Sequence, residues 1–233
     1  MSKIDKNLQA VKRHISDAAL TASRVPSSVS LLAISKSHPA LAIIEAAKAG
    51  QRAFGENYEQ EAVRKIQQIR EIAPELRLEW HFVGPVQSNK TRSIATHFDW
   101  VHSIDRERIA QRLSDQRPGE LAPLNVCLQV NISQEASKSG IEDEEAVFEL
   151  ARTVAALPRL RLRGLMAIPE PEDDPDRQHD PFRQLRDLYD RMRSKGYDLD
   201  TLSMGMTADM DAAIAEGATI VRIGTAIFGS RSA

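Results

Sequence analysis

A lysine set directly after a short apolar run is the residue with the most chemistry in this sequence. Leu31-Leu32-Ala33-Ile34 is followed by Ser35-Lys36-Ser37-His38. If the run is a buried strand, the stem of Lys36 starts inside its wall. Burial disfavours the ammonium form, lowers the pKa and frees an amine that can attack an aldehyde carbon. The bland alternative is a lysine that lays its stem on apolar surface and keeps its head in water.

Two clusters near the other end of the chain bear on that choice. Ser203-Met204-Gly205-Met206-Thr207 leads into a helix expected over 208–216, whose free N–H groups suit an anion. Arg222-Ile223-Gly224-Thr225 offers a glycine for close backbone approach with a hydroxyl donor beside it. Serine and threonine are also common turn residues, so neither cluster decides anything alone. Set opposite a buried lysine, they describe a phosphorylated aldehyde, of which pyridoxal 5'-phosphate (PLP) is the common one. Arg222 interrupts the apolar run Ile220-Val221-Arg222-Ile223, where an unpaired guanidinium is costly. A structural ion pair would explain it. So would a hydrogen bond to the pyridine nitrogen of PLP, which would stay unprotonated beside an arginine and leave the ring a poor electron sink.

The elements that must position these residues follow a regular alternation. Residues 4–19 place Ile4, Leu8, Val11, Ile15 and Ala19 on one helical face. Short apolar runs then recur at 31–34, 52–54, 78–83, 100–102, 126–130, 162–167, 201–202 and 219–223. Amphipathic stretches of helical length separate them, among them 39–49, 60–72, 142–155 and 181–194. Alternation of this kind implies βαβ units and a parallel sheet. Eight strands fit an α/β (β/α)8 barrel of TIM type over residues 1–233, one PLP-binding domain with an extra N-terminal helix. Pro39 suits a first helical position and Gly50 a C-terminal cap. Residues 169–181, crowded with Pro, Asp and Glu, read as a loop.

Composition sets the outer limits. The chain is 42% apolar and 27% charged with a net charge of −2, so no basic footprint for nucleic acid appears. No stretch is apolar enough to cross a membrane, and the N-terminus lacks the apolar core of a signal peptide. A cytoplasmic protein with a small-molecule partner is expected. The one cysteine, Cys127 in the run Val126-Cys127-Leu128, excludes an intrachain disulfide and reads as a buried small hydrophobe. His81 and His102 lie within strands at no metal-ligand spacing and read as packed, hydrogen-bonded histidines. Trp80 and Phe82 read as core or pocket-wall aromatics, and Lys138 as a solvated loop lysine.

At these residues the sequence resembles the pyridoxal phosphate homeostasis protein family, a barrel related to the PLP-binding domain of bacterial alanine racemases. The likeness runs from Leu31 to Gly229. It rests on Leu32-Ala33-Ile34-Ser35-Lys36, Phe54-Gly55-Glu56-Asn57-Tyr58 and, above all, the run from Trp80 to Lys90. His102-Ser103-Ile104-Asp105, Gln129-Val130-Asn131, Ser137-Lys138-Ser139-Gly140 and Arg163-Gly164-Leu165-Met166 continue it. Leu202-Ser203-Met204-Gly205-Met206-Thr207 and the run from Val221 to Gly229 complete it. The resemblance implies that Lys36 carries PLP as a Schiff base and that Arg222 faces the ring nitrogen. It places Ser203, Gly205, Gly224 and Thr225 around the phosphate, Asn57 beside the cofactor, and Met204 among the cofactor-binding residues. Ser37 and His38 stand where Thr and a basic residue are usual, which puts any role for His38 in doubt.

The resemblance implies a carrier that buffers PLP or delivers it to PLP-dependent apoenzymes, without an agreed reaction of its own. A PLP enzyme such as an amino-acid racemase is the alternative. Racemisation needs an acid/base on each face of the substrate, and Lys36 serves only one. Related racemases bring a tyrosine from a second domain across a dimer, for which this chain has no room, so a monomer is expected. Tyr58 is the only tyrosine near a strand end. A Schiff-base aldolase on a phosphate-binding barrel would share the lysine and the phosphate loops but has no use for an arginine aimed at a pyridine ring.

Overall fold

The structure, a computed structural model, describes residues 2–133 and 139–230. Ser137 and Lys138 therefore lie outside the described residues. Helix α1 (Lys3–Thr21) is capped by the Ser2 hydroxyl, which accepts from the Asp5 N–H, and it buries the predicted stripe Leu8, Val11, Ile15 and Ala19. Eight strands follow: β1 (Ser30–Ile34), β2 (Ala53–Glu56), β3 (Glu79–Phe82), β4 (Trp100–Ile104), β5 (Leu124–Gln129), β6 (Leu160–Met166), β7 (Thr201–Ser203) and β8 (Ile220–Ile223). They pair in sequence order, all parallel, and β8 closes on β1. The expected eight-stranded TIM-type barrel is what forms.

A helix follows every strand: α2 (Ala40–Lys48), α3 (Glu59–Ile72), α4 (Thr91–His97), α5 (Glu107–Gln116), α6 (Glu144–Ala156), α7 (Pro175–Ser194), α8 (Met210–Ala215) and α9 (Thr225–Phe228). Alternation along each strand sends one set of side chains outward to these helices. Ala33, Phe54, Val101, Leu128, Leu165, Leu202 and Val221 join helix residues in the main core. The other set fills the barrel. There Leu32, Val83 and Ile220 form one small cluster, and Trp100, Cys127 and Met166 another. Polar side chains share that interior: His81, His102, Ser203 and Arg222 are all buried. α1 lies across α8 and α9 and bonds the end of the chain, with the Asn7 side-chain amide donating to the Ile227 carbonyl at 3.0 Å.

Three of the boundaries that differ from the sequence reading have a plain local cause. Helix α7 starts at Pro175, so the segment expected to be loop through residue 181 is half helix. Asp174 accepts from the Asp176 N–H and proline takes the first helical position, so the Pro/Asp crowding marks a helix start. Pro181 is tolerated inside α7 because its missing N–H strands only the carbonyl of exposed Arg177. Helix α8 starts at Met210 rather than Ala208, with Asp209 in front of it. Pro39 is the residue before α2 rather than its first, while Gly50 ends that helix at φ 92° as expected.

Candidate cofactor site

Four neighbouring strands, β7, β8, β1 and β2, carry the predicted residues at their C-terminal ends. Lys36 leaves β1 in a tight turn in which the His38 N–H bonds the Ser35 carbonyl at 3.1 Å and Ser37 takes φ 64°. That turn is braced from below. The Ser35 hydroxyl donates to Glu56 Oε1 at 2.6 Å, and Lys65 Nζ donates to the Ser35 carbonyl at 2.8 Å. Lys65 also ion-pairs with Glu56 and with Glu61, whose carboxylate accepts the Ser37 N–H at 2.6 Å. Glu56 is fully buried and Lys65 nearly so. Burial pushes the Glu56 carboxyl above its usual range, and Lys65 opposes that rise. Lys36 itself is half-buried. Sequence reasoning missed this brace. The available signal was Lys65, a lysine on the same face of its helix as Ala62, Ile66 and Ile69.

Arg222 points into the barrel floor. One terminal nitrogen donates to the Ser203 carbonyl at 2.6 Å and to the Ser203 hydroxyl at 3.0 Å, and the other donates to the Ala167 carbonyl at 2.8 Å. All three acceptors are neutral, so the structural ion pair that would have explained Arg222 is not what holds it. Burial lowers its pKa to about 10, which still leaves it charged at neutral pH. The Ser203 hydroxyl is thus committed to the floor, where it also lies 2.8 Å from His102 Nδ1.

The rest of the mouth is mostly backbone. Met204 sends its side chain into the main core and its N–H to the Ile220 carbonyl at 3.1 Å, which leaves only its carbonyl for a ligand. Gly205 sits at φ 94°, and a Cβ there would lie 2.6 Å from Ala213 Cβ. The helix expected to offer free N–H groups after it does not do so cleanly, because Asp209 precedes it and accepts the Met206 N–H. Gly224 brings the end of β8 against β1, since a Cβ there would meet the Ile34 carbonyl at 3.0 Å. Thr225 opens α9 and is exposed. Asn57, after β2, is pinned where a Cβ on Gly84 would strike its carbonyl, and its side-chain oxygen is buried without a hydrogen-bond partner. A buried orphan acceptor of this kind calls for a donor from a ligand.

Lys36, Asn57, Gly205, Arg222, Gly224 and Thr225 thus share one mouth, with Ser203 in its floor and Met204 in its wall. The orphaned Asn57 oxygen and a buried cation held only by neutral oxygens fit a planar, phosphorylated ring. Tyr58 is exposed beside the mouth, whereas Tyr189 is buried with its hydroxyl on the Leu199 carbonyl at 2.9 Å. Trp80 and Phe82 are buried core aromatics, and Cys127 is buried as expected, which raises its thiol pKa.

A chain of hydrogen bonds runs on from this floor toward the opposite mouth. His102 Nε2 lies 2.8 Å from His81 Nδ1, and His81 Nε2 lies 2.7 Å from Glu79 Oε1. Both imidazoles are buried, as the sequence reading expected, while Glu79 is half-exposed. Burial, with His81 and Arg222 nearby, holds the His102 pKa well below the usual histidine range. The bond from His81 holds the Glu79 carboxyl below its own.

Comparison with known proteins agrees with this picture. The profile of the family described as alanine racemase, N-terminal domain matches residues 2–232. The pyridoxal phosphate homeostasis protein of Escherichia coli (strain K12) is 57% identical over 231 residues, covering 99% of this chain and 98% of that protein. That of Vibrio cholerae is 56% identical over 231 residues, again covering 99% and 98%. PipY of Synechococcus elongatus, solved with PLP bound, superposes with a TM-score of 0.78 at 39% identity, over 92% of this chain and 100% of that one. Alanine racemase of Corynebacterium glutamicum, at 17% identity, TM-score 0.68 and 97% coverage of this chain against 59% of that one, shares the fold. The chain belongs to the pyridoxal phosphate homeostasis protein family, built on the alanine racemase N-terminal domain.

Proposed function

We propose that this chain binds PLP on Lys36 and serves vitamin B6 homeostasis by holding the cofactor and handing it on. The observation that carries the reading is Arg222, a buried cation with only neutral acceptors, set beneath a mouth that Lys36 enters from the next strand. The names of the full-length relatives and the PLP bound in PipY support the same ligand.

Bound there, PLP supplies an aldehyde carbon that a lysine amine can attack with loss of water. Lys36 presents that amine from a turn fixed by Ser35, Glu56 and Lys65. Arg222 stays protonated and donates toward the ring nitrogen, which keeps that nitrogen an acceptor and disfavours carbanion chemistry. Gly205, Gly224 and Thr225 seat the phosphate with backbone N–H groups and one hydroxyl, the Met204 backbone closes that wall, and Asn57 flanks the ring. Exposed Tyr58, Ile168 and Met206 mark a face that an amine on a small molecule or on a PLP-dependent apoenzyme can approach. In this reading the protein works as a monomer, without an acid/base on the second face.

The test is the visible spectrum of the purified protein with PLP, beside Lys36→Ala, followed by transfer to a PLP-dependent apoenzyme. A band near about 420 nm that the variant lacks is expected, with recovery of apoenzyme activity. Protein that gains no such band would remove PLP from the reading. A band that never passes to amines or apoenzymes would leave binding intact and end the delivery part.

A further inference from the structure

The chain Glu79–His81–His102–Ser203–Arg222 crosses the barrel interior from one mouth to the other, and its hydrogen bonds admit few arrangements. Arg222 can only donate, so the Ser203 oxygen accepts from it at 3.0 Å. The Glu79 carboxylate can only accept, so His81 carries a proton on Nε2. With one proton on His81, its Nδ1 is an acceptor. His102 must then carry its own proton on Nε2, leaving Nδ1 to accept from the Ser203 hydroxyl. Every donor then points toward Glu79, and the Ser203 hydrogen is consumed in the floor.

One more proton on His81 reverses the two inner links, His81–His102 and His102–Ser203, while the outer links to Glu79 and from Arg222 keep their direction. His81 Nδ1 then donates to His102 Nε2, and His102 shifts its single proton to Nδ1, where it donates to the Ser203 oxygen. That oxygen accepts from both Arg222 and His102, so its own hydrogen is released for a bond to another acceptor. The balance is one proton gained, on His81, from solvent that reaches half-exposed Glu79.

We propose that Glu79, His81 and His102 are positioning residues that set the Ser203 hydroxyl and Arg222 beneath the cofactor, so that a single proton taken up at the far mouth changes the hydrogen bonding at the cofactor site. The effect on PLP rests on the preceding reading of that site; the relay itself does not. The charged and titratable groups around the two imidazoles are Glu79 on β3, Asp99 before β4, Cys127 on β5, Arg163 on β6, Asp200 before β7 and Arg222 on β8. Asp99 is tied to the Trp80 N–H at 2.8 Å, and Arg163 binds Asp200 through Nε at 2.8 Å, so neither carboxylate replaces Glu79 in the chain. Trp100 lies flat on His81, its ring centroid 5.2 Å away and 7° from parallel, and keeps that imidazole in line.

The test has one arm without PLP. Long-range 1H–15N spectra of 15N-labelled, cofactor-free protein report the tautomer of each histidine between pH 8 and pH 5. His102 is expected to switch from the Nε2–H to the Nδ1–H form as His81 takes its second proton, without ever becoming doubly protonated itself. In Glu79→Gln, which removes the charge and keeps an acceptor, both changes should move together to lower pH, by about one unit for a tenfold weaker proton affinity. A His102 that keeps one tautomer across the range, or unchanged midpoints in Glu79→Gln, overturns the relay. In the second arm the pH profile of PLP affinity is compared between wild type, Glu79→Gln and Ser203→Ala. A displaced profile in the first variant and a loss of that pH-linked step in the second are expected. Identical profiles in all three would overturn the coupling, whereas absence of PLP binding would fail the site reading and leave the tautomer arm to judge the relay.

Discussion

Replacing Lys65 with methionine is the sharpest perturbation that the brace under Lys36 offers. The side chain is 6% exposed, and its ammonium holds three oxygens: Glu56, Glu61 and the Ser35 carbonyl. Methionine keeps most of the stem volume, so packing changes little and the loss is electrostatic. Glu56, itself 0% exposed, is left with the Ser35 hydroxyl alone. Breaking a buried pair by removing one partner costs about 3–5 kcal/mol. For a chain of this length that corresponds to a fall in Tm of roughly 6–20 °C. The pH dependence has a definite sign. The Glu56 pKa is already raised by burial, and loss of Lys65 removes the opposing effect and raises it further. A carboxyl whose folded pKa is raised binds more protons folded than unfolded, so its contribution to stability falls as pH rises through that window. The deficit of the variant should therefore be largest at neutral pH and shrink toward about pH 4.3, the unperturbed value for glutamate. Calorimetry from pH 4.5 to 8 measures it, with Glu56→Gln/Lys65→Met expected to regain at least half of the lost stability at neutral pH. A single variant within about 2 °C of wild type, or a double variant no better than the single, would refute the argument that the pair holds a buried charge.

Other features give further outcomes. Gly205→Ala places a Cβ against Ala213 at a positive φ, so calorimetry should show a loss of about 1–3 kcal/mol and equilibrium dialysis weaker PLP retention. Cys127 is 0% exposed and its thiol pKa is raised by burial, so a thiol reagent at pH 8 should leave native protein unlabelled and react stoichiometrically once guanidinium unfolds it. Arg222→Met takes the side-chain donor from the Ala167 carbonyl and leaves the Ser203 carbonyl with the Ala167 N–H alone, at a cost of about 1–3 kcal/mol. It should also speed loss of PLP on dialysis while Lys36 still forms the visible band. Retention equal to wild type would remove Arg222 from the cofactor's partners.

The barrel was readable from the sequence because its strands are buried on both faces and stand out as apolar runs, down to β7, where Leu202 alone marks a strand of three residues. Lys36 and Arg222 were readable for the opposite reason, as charges set against such runs. Helix starts were harder. Asp and Pro open α7 with the same residues that make loops, and Asp209 delays α8 although its sequence is helical from Ala208. Lys65 was passed over because a lysine on an amphipathic helix normally faces water; its place on the apolar face with Ala62, Ile66 and Ile69 was the signal, and Glu56, at the end of the strand just before it, turns it inward. The direction of the Ser203 hydroxyl depends on His102, 101 residues away, and no local pattern encodes that contact.

Closure of β8 on β1 also orders events in time. Lys36 is made well before Arg222, Gly224 and Thr225, which stand at the far end of the β1–β8 closure. A nascent chain that has not reached β8 has Lys36 but neither Arg222 in the floor nor Gly224 and Thr225 beside it. Synthesis proceeds from the N-terminus at about 5–20 residues per second, so the reactive amine exists for roughly ten seconds or more before its pocket can. A ligand that needs both strands therefore has to wait until β8 has been made and has closed on β1. A chain cut short before β8 would display the amine without the walls that select what it meets.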